Sequence, residues 1–369
     1  MSIVSIHSPR QTTLFRNLPH RLPPTFLLRS NKRVEHKSPA VVSPLFACRP
    51  WLQDNAAIEL GWDYAHHGIR PSLEALCSSA DLKQGYQAGL AVFGRRTLKL
   101  TPYVKPWLET RFDALQRSIE FDTLQINARY IEQIAATHCP ATRQALDIAE
   151  QHTVIGRLRT DIGYVAGNLF VMSRTARISQ RGLRMTSTPA AARATRLDPA
   201  DQARLEVLQS FGEALSHAAA SRVPMLVLPP NRLHVRNPIQ VLQALASLSL
   251  ACGDDRFEAM RAAMPGKQVR DHVDAFADAF AASYRMSLSA TMRAHSASKI
   301  EGRTLQRWAI EDAWKAVTVQ LAWARLASHV DAAATERIVA KVGGRAVAIT
   351  PDVDVPPQRP ADQAVRLRA

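Results

Sequence analysis

The sequence predicts a mostly α-helical protein that contains one small α+β module, a β-hairpin followed by a helix. Three observations predict this fold class. Ala, Leu and Arg dominate the 369 residues and aromatic residues make up only 6% of them, a composition that favours helices. Apolar residues recur at helical spacing in two long regions. Residues 153–181 instead have the pattern strand, loop, strand, helix.

The first helical region covers about residues 50–136. Pro71 and Ser72 indicate a helix start, since serine is a good N-cap. Pro140 marks the end of the region, because proline interrupts a helix. Apolar residues at roughly helical spacing predict one buried stripe within it, and they are Trp107, Phe112, Leu115 and Ile119.

The predicted module follows at once. Residues 153–155 are β-branched, and residues 169–172 form an apolar run bounded by Asn168 and Ser173, which is typical of two short strands. Gly163 and Tyr164 predict a turn between the strands. The chain then begins a helix near residue 175, so the module is ββα in order.

A second helical region covers about residues 202–340, and its longest pieces are 268–295 and 303–340. Apolar side chains in the latter piece predict a wide apolar face. Three tryptophans have the spacing of core positions or of a helix face that meets a partner. They are Trp308, Trp314 and Trp323.

Composition divides the chain into five parts. We expect residues 1–45 to form a basic, disordered arm, since the first 34 residues contain six basic residues and no acidic one. Such a segment can also be interpreted as an organelle transit peptide, but its prolines favour a flexible arm. We expect residues 46–182 to form a helical region that ends in the module, and 183–202 to form a linker. We expect residues 203–350 to form a helical C-terminal domain, and 351–369 to form a disordered, proline-rich tail.

The charge balance favours a polyanionic partner. The chain has 47 Lys+Arg against 32 Asp+Glu, a formal net charge of +15, which predicts attraction to nucleic acid. An arginine-rich composition can also arise in a protein that does not bind nucleic acid. No run of residues is long and apolar enough to span a membrane, so no membrane partner is expected. The four cysteines form no CxxC pair, which indicates a reducing compartment. We expect a cytoplasmic location, and association with the nucleoid stays open.

Short motifs in the order of a known nuclease core lie between residues 138 and 182. They are Cys139-Pro140-Ala141-Thr142, Gly156-Arg157-Leu158, Gly163-Tyr164, Asn168, the apolar run 169–173 and Ala176-Arg177. This segment resembles the ββα-metal core of the HNH (His-Asn-His) endonucleases. The resemblance implies a two-stranded hairpin followed by a helix, and it implies that Gly163, Tyr164 and Asn168 fix the hairpin geometry.

The residues that would carry catalysis depart from the family pattern. In the family, a histidine on the first strand activates water, and a metal takes ligands from that strand and the helix. Here Gly156 has no side chain, while Arg157 and Arg177 stay protonated and cannot bind a metal. Two like charges about 4 Å apart repel by about 4 kcal/mol at an effective dielectric of about 20. We therefore expect no metal cofactor and no cleavage, with Mg²⁺ or Mn²⁺ bound only if nuclease activity survives.

Arginines around the hairpin predict contacts to phosphate. Within residues 156–184 they face a single acidic residue, Asp161. Several such contacts give an affinity that depends on salt and tolerates any sequence. The module is therefore expected to bind nucleic acid, mainly DNA, through Arg157, Arg159, Arg174, Arg177, Arg181 and Arg184.

Two alternative functions remain open. In the first, the protein is an active metal-dependent endonuclease with a shifted site. His152 is then the catalytic candidate, and Asp63, His67 and Asp147 are the candidate metal ligands. Asp63 and His67 are four residues apart and share one helix face. In the second, the protein is a helical interaction or scaffold protein whose positive charge is compositional. It then binds a protein partner through the C-terminal helices that contain the three tryptophans.

Overall fold

The computed structural model describes residues 50–148, 150, 152–182 and 197–342. Within these ranges it contains fourteen helices and one two-stranded antiparallel sheet. The predicted fold class, mostly helical with one hairpin packed against a helix, is confirmed. No helix in the described ranges is long and apolar enough to cross a membrane. The predicted arm, the predicted tail and residues 183–196 of the predicted linker lie outside the described residues.

The chain divides into two compact units. Of the described residues, the N-terminal unit contains 50–214 and Pro229–Arg236. The C-terminal unit contains Leu215–Leu228 and 237–342. The predicted linker between the two regions is residues 183–202, whereas in the structure a helix begins inside this segment, at Pro199, and belongs with residues up to 214 to the N-terminal unit.

The N-terminal unit contains seven helices and the hairpin within its described residues. Six of the helices are α1 (Pro50–His66), α2 (Leu73–Ser78), α3 (Ala80–Phe93), α4 (Val104–Gln116), α5 (Ala128–Ile134) and α7 (Pro199–Ser210). Short polar caps start several of them. The side chain of Ser72 accepts a hydrogen bond from the Ala75 N–H at the start of α2, and Asn127 caps α5 in the same way.

Helices α1 and α3 pack closely because glycines remove the side chains at their crossing. A Cβ added to Gly61 of α1 would lie 2.1 Å from the Leu82 carbonyl oxygen. A Cβ added to Gly85 of α3 would lie 2.0 Å from the Ile58 carbonyl oxygen. Only glycine allows two helix backbones to approach so closely.

The hairpin and the helix after it form the ββα module. Strand β1 (Thr153–Arg157) pairs antiparallel with β2 (Leu169–Ser173), so that Thr153 lies opposite Ser173 and Arg157 opposite Leu169. Every residue of β2 is buried. Helix α6 (Arg174–Gly182) begins directly after β2 and packs against both strands.

The C-terminal unit is helical throughout its described residues. Its core includes all three tryptophans, and Trp314 is fully buried. The indole N–H of Trp314 donates to Ser247 Oγ at 2.9 Å, and that of Trp323 donates to the Ser221 carbonyl at 3.1 Å. These side chains are therefore core residues of the unit. Its helices are α8 (His217–Ser221), α9 (Pro238–Cys252), α10 (Arg256–Ala263), α11 (Gly266–Ala294), α12 (Gly302–Ala313), α13 (Val317–Ala327) and α14 (Ala332–Val342).

The segment 303–340, which the sequence pattern treats as one helical piece, consists of three helices. Side chains stabilise both breaks. Gln320 Nε2 donates to the Trp314 carbonyl at 2.7 Å beyond the end of α12, and Asp331 Oδ1 accepts from the Ala334 N–H at 2.6 Å at the start of α14. Apolar periodicity continues across such capped breaks, so periodicity alone does not reveal them.

Candidate functional site

The centre of the candidate site is the contact between β1 and α6. A Cβ added to Gly156 of β1 would lie 3.1 Å from Met172 Sδ and 3.6 Å from Nη1 of Arg177 on α6. Phe170 Cζ lies 3.5 Å from the same point, so the guanidinium of Arg177 borders, together with Met172 and Phe170, the space beside Gly156. A cation from the helix faces a strand position that has no side chain.

Arg177 belongs to a buried polar connection between α6 and β1. Its Nη1 donates to Gln180 Oε1 at 2.6 Å, and Gln180 Nε2 donates to the Arg157 carbonyl at 3.4 Å. Both Arg177 and Gln180 are buried. A buried cation needs acceptors around it, and Gln180 supplies one while it also holds the helix to the strand.

The side chain of Arg157 braces the loop between the strands. It is only 7% exposed. Its Nη1 donates to the carbonyls of Thr160 at 3.1 Å and Ile162 at 2.5 Å, and the guanidinium lies 5.1 Å from the centre of the Tyr164 ring. Burial lowers the pKa of Arg157. Arg157 and Arg177 are thus both inside the module, although the sequence analysis predicts both as phosphate contacts.

Gly163 and Tyr164 attach this loop to the segment after α4. The Tyr164 N–H donates to the Glu120 carbonyl at 2.8 Å, and the Asp122 N–H donates to the Tyr164 carbonyl at 2.9 Å. A Cβ added to Gly163 would lie 2.5 Å from the Glu120 carbonyl oxygen. The Tyr164 hydroxyl donates to Asp113 Oδ2 at 2.6 Å, and burial together with this bond raises the pKa of Tyr164 to about 12.

Asn168 closes the same loop from inside. Its Nδ2 donates to the carbonyls of Arg159 at 2.9 Å and Gly163 at 3.1 Å, and its Oδ1 accepts from the Arg159 N–H at 2.8 Å. The side chain is buried, with 4% of the residue exposed. One amide therefore satisfies three backbone groups that the loop would otherwise leave without secondary-structure partners.

Residues far along the chain hold Gly167, where the loop meets β2. Gly167 has a φ of +89°, a conformation that favours glycine. Its N–H donates to the Tyr130 hydroxyl and its carbonyl accepts from the His234 N–H, both at 2.8 Å. A Cβ added to Gly167 would lie 2.2 Å from His234 Nδ1. Burial lowers the pKa of His234.

The Cys-Pro motif forms a tight turn against the end of β2. The Cys139 N–H donates to the Gln144 carbonyl, and the Arg143 N–H donates to the Cys139 carbonyl, both at 2.8 Å. The buried Cys139 Sγ accepts from the Ser173 N–H at 3.4 Å. Cys139 therefore packs as a small buried side chain that supports β2.

Other arginines of the module lie nearer the surface. Arg174 is exposed at the first residue of α6. Arg159 is partly exposed and forms two hydrogen bonds with Asp161, at 2.6 and 3.3 Å. Arg181 lies in the last turn of α6, and Arg184 lies outside the described residues.

The candidate nuclease residues near the hairpin do not assemble a site. His152 is exposed, and its Nδ1 lies 2.9 Å from Glu150 Oε2. Its carbonyl accepts from the Arg174 N–H at 2.8 Å, which places it at the start of α6. Asp147 is also exposed. Among the described residues, no group of three or more His, Cys, Asp or Glu side chains could hold a metal ion.

The Asp63 and His67 pair is part of the packing of α1 against α4. The Asp63 carboxylate is ion-paired with Arg111, which is buried. The His67 ring packs edge-on against Trp107, with 5.8 Å between ring centres. Burial lowers the pKa of His67. The Asp63 carboxylate is therefore paired with the Arg111 guanidinium, and this ion pair accounts for an acidic residue at this position without a bound metal ion.

Sequence reasoning missed the residues that hold the module from a distance. These are Tyr130 and His234, together with Asp113 and Glu120, and within the module itself Gln180 was also missed. Each meets the hairpin through a tertiary contact, and none belongs to a motif or spacing that marks it. The positive φ of Gly167 favours glycine at this position, and a glycine can be seen in the sequence. The sequence does not reveal which residues pack against that glycine.

No family model, no curated protein and no solved structure matches the chain.

Proposed function

We propose that the protein associates with nucleic acid, mainly DNA, by contacting the phosphate backbone, and that it does not cleave it. The six arginines and the absence of acidic residues in residues 174–196 support the binding, and the position of Arg177 supports the absence of cleavage. Its guanidinium lies beside Gly156, with Nη1 3.6 Å from where a Cβ would be, between the strand and the helix from which an HNH-like module would supply its metal ligands. The proposal retains the cytoplasmic location expected from the sequence.

The residues at this position do not fit a divalent metal ion. Gly156 offers no ligand atom, and Arg177 places a fixed positive charge where the metal would need to be. The buried hydrogen bond from Arg177 to Gln180 further stabilises the Arg177 guanidinium at this position. No hydrolytic step through a metal is derived for this site.

The distribution of charge supports contacts to phosphate. Residues 174–196, which begin with α6, contain six arginines and no acidic residue. The first 49 residues contain eight basic residues and one acidic residue. Since Arg157 and Arg177 are buried, the exposed Arg174 and the arginines that follow α6 are the better candidates for phosphate contacts. Such contacts are salt-dependent and carry little sequence information.

Fluorescence anisotropy with a labelled DNA duplex tests this proposal. We expect wild-type binding that weakens steeply as KCl increases. The double variant Arg174→Glu/Arg184→Glu should bind at least about tenfold more weakly and should reduce the salt slope by about 2. Arg70→Glu/Lys83→Glu, which changes two exposed cations elsewhere in the N-terminal unit, is the matched control and should change affinity by less than about twofold. An absence of salt-dependent binding to duplex and to single-stranded DNA or RNA would refute the proposal.

A further inference from the structure

A short segment of the N-terminal unit is inserted into the sequence of the C-terminal unit. Residues 229–236 pack within the N-terminal unit, while Leu228 before them and Asn237 after them both belong to the C-terminal unit. We call residues 229–236 the strap. The chain therefore enters the strap from one unit and returns to that same unit after only eight residues.

Within the N-terminal unit, the strap holds the hairpin loop at Gly167. The His234 N–H donates to the Gly167 carbonyl at 2.8 Å, and the His234 ring covers the side of Gly167 from which a Cβ would project. The Arg236 N–H donates to the Phe211 carbonyl at 2.8 Å, which joins the strap to the end of α7. The strap is therefore part of the support of the loop between β1 and β2.

Within the C-terminal unit, an ion pair on α12 holds the residue before the strap. The Leu228 N–H donates to Glu311 Oε1 at 3.0 Å, and Arg307 Nη2 donates to the Leu228 carbonyl. Arg307 Nε donates to the same Glu311 oxygen at 3.2 Å. Glu311 is only 2% exposed, and Leu228 is buried. One pair of charged side chains thus binds both polar backbone groups of Leu228.

Asn237 fixes the other end of the strap in the same unit. Its Oδ1 accepts from the Leu215 N–H at 3.3 Å, and its Nδ2 donates to Gln240 Oε1 at 2.9 Å. Asn237 and Gln240 are both buried. Because both ends are held, the strap has little freedom to change its length.

The backbone inside the strap is strained. The Leu233 N–H donates to the Pro230 carbonyl at 3.2 Å and closes a turn, and within this turn Arg232 has a φ of +64°. This left-handed conformation is unfavourable for a residue other than glycine, and it persists only where the surrounding structure imposes it. Release of one end of the strap would allow the turn to relax.

We propose that the strap makes the order of the hairpin loop depend on the C-terminal unit around Leu228. While the Arg307–Glu311 pair holds Leu228, the strap is short and His234 stays against Gly167. When the pair releases Leu228, a longer segment must be ordered to make the same contact, and its closure entropy weakens that contact.

This coupling has a regulatory consequence. A ligand or partner protein that separates Leu228 from the ion pair would loosen the hairpin loop, and by linkage a ligand that orders the loop would favour the closed pair. The inference does not depend on the proposed binding of nucleic acid, since it concerns the order of the loop in the free protein.

Hydrogen–deuterium exchange of the full-length protein, read by mass spectrometry on peptides that cover residues 158–168, tests this inference. These peptides include the amides of Arg159 and Gly167, which donate to Asn168 Oδ1 and to the Tyr130 hydroxyl. Local opening of the loop exposes such amides to exchange.

Two variants should loosen the loop. Arg307→Met/Glu311→Leu removes both bonds to Leu228 and both charges together, so that no buried charge loses its partner. We expect exchange in residues 158–168 to be at least about threefold faster than in wild type. Insertion of eight glycines between Leu228 and Pro229 leaves every side chain in place and doubles the length of the strap, which should give about threefold faster exchange.

Each variant has a matched control in the C-terminal unit. Arg261→Met/Asp274→Leu removes an ion pair between α10 and α11 that does not involve Leu228. The same eight glycines inserted between Lys299 and Ile300 lengthen a connection that does not lead to the strap. Both controls should exchange as wild type does in residues 158–168.

Two results would overturn the inference. The first is exchange in residues 158–168 that stays at the wild-type rate in the glycine insertion at the strap, with circular dichroism showing native helix content. This variant decides the matter if Arg307→Met/Glu311→Leu does not fold. The second is equally fast exchange in the control insertion, because the loop would then respond to any change in the C-terminal unit.

Discussion

Asn168→Ala is expected to lower the free energy of unfolding by about 3 kcal/mol. The substitution removes three hydrogen bonds of a buried amide, each worth about 1 kcal/mol, and leaves the backbone groups of Arg159 and Gly163 without those partners. The loop between β1 and β2 should loosen as a result. Urea denaturation followed by circular dichroism measures the change.

Two further variants make this result interpretable. Asn168→Asp keeps the acceptor for the Arg159 N–H but places a carboxylate against two carbonyl oxygens, so it should be at least as destabilising as the alanine variant. Gln125→Ala, at an exposed position of the same unit, should change stability by less than about 0.5 kcal/mol. A loss below about 1 kcal/mol for Asn168→Ala would mean that Asn168 does not hold the loop.

Gly85→Ala should destabilise the N-terminal unit by about 3 kcal/mol or more. Its Cβ would lie 2.0 Å from the carbonyl oxygen and 2.7 Å from the carbonyl carbon of Ile58, so α1 and α3 must separate. The contacting atoms belong to the backbone of Ile58, which cannot rotate away from the new Cβ as a flexible side chain can. Thermal unfolding measures the effect.

Gly302→Ala is the matched control for this prediction. Gly302 begins α12, and a Cβ there would have no heavy atom within 4 Å. Replacing a helical glycine with alanine is worth up to about 1 kcal/mol in favour of the helix. If both variants unfolded within about 2 °C of each other, the close crossing of α1 and α3 would be contradicted.

The sequence predicts those parts of the fold that depend on local patterns. Helical periodicity and caps such as Ser72 indicate the helices, and the β-branched residues of β1 and the apolar run of β2 indicate the hairpin. The sequence does not predict the capped breaks after α12 and before α14, because the apolar pattern continues through them. The fold class can therefore be predicted from the sequence, whereas the residues at which individual helices end cannot all be predicted.

The sequence does not reveal which arginines lie inside the molecule. Arg157 and Arg177 have the same local context as exposed arginines, but the contacts with Ile162, Tyr164 and Gln180 that bury them arise only after the chain folds. The tryptophans of the C-terminal unit are a similar case, since core and partner-facing helix positions have the same spacing. Burial, and with it the candidate site, depends on tertiary packing.

The polar contact between α6 and β1 gives a physical reason to expect no metal ion at this position. The guanidinium of Arg177 has a hydrogen-bond acceptor in Gln180, which in turn contacts the backbone of Arg157. A divalent cation would have to displace this arrangement and then find ligands that Gly156 cannot supply. Both requirements oppose metal binding at this position.

Incubation of supercoiled plasmid with the purified protein tests the central claim most directly. Parallel reactions contain Mg²⁺, Mn²⁺ or EDTA, and one native gel resolves all products. We predict a retarded, uncut plasmid in all three reactions, with retardation that decreases as salt increases. Nicked or linear plasmid formed only with a divalent metal, and lost in His152→Ala or His67→Ala, would contradict the claim and indicate an active nuclease with a shifted site.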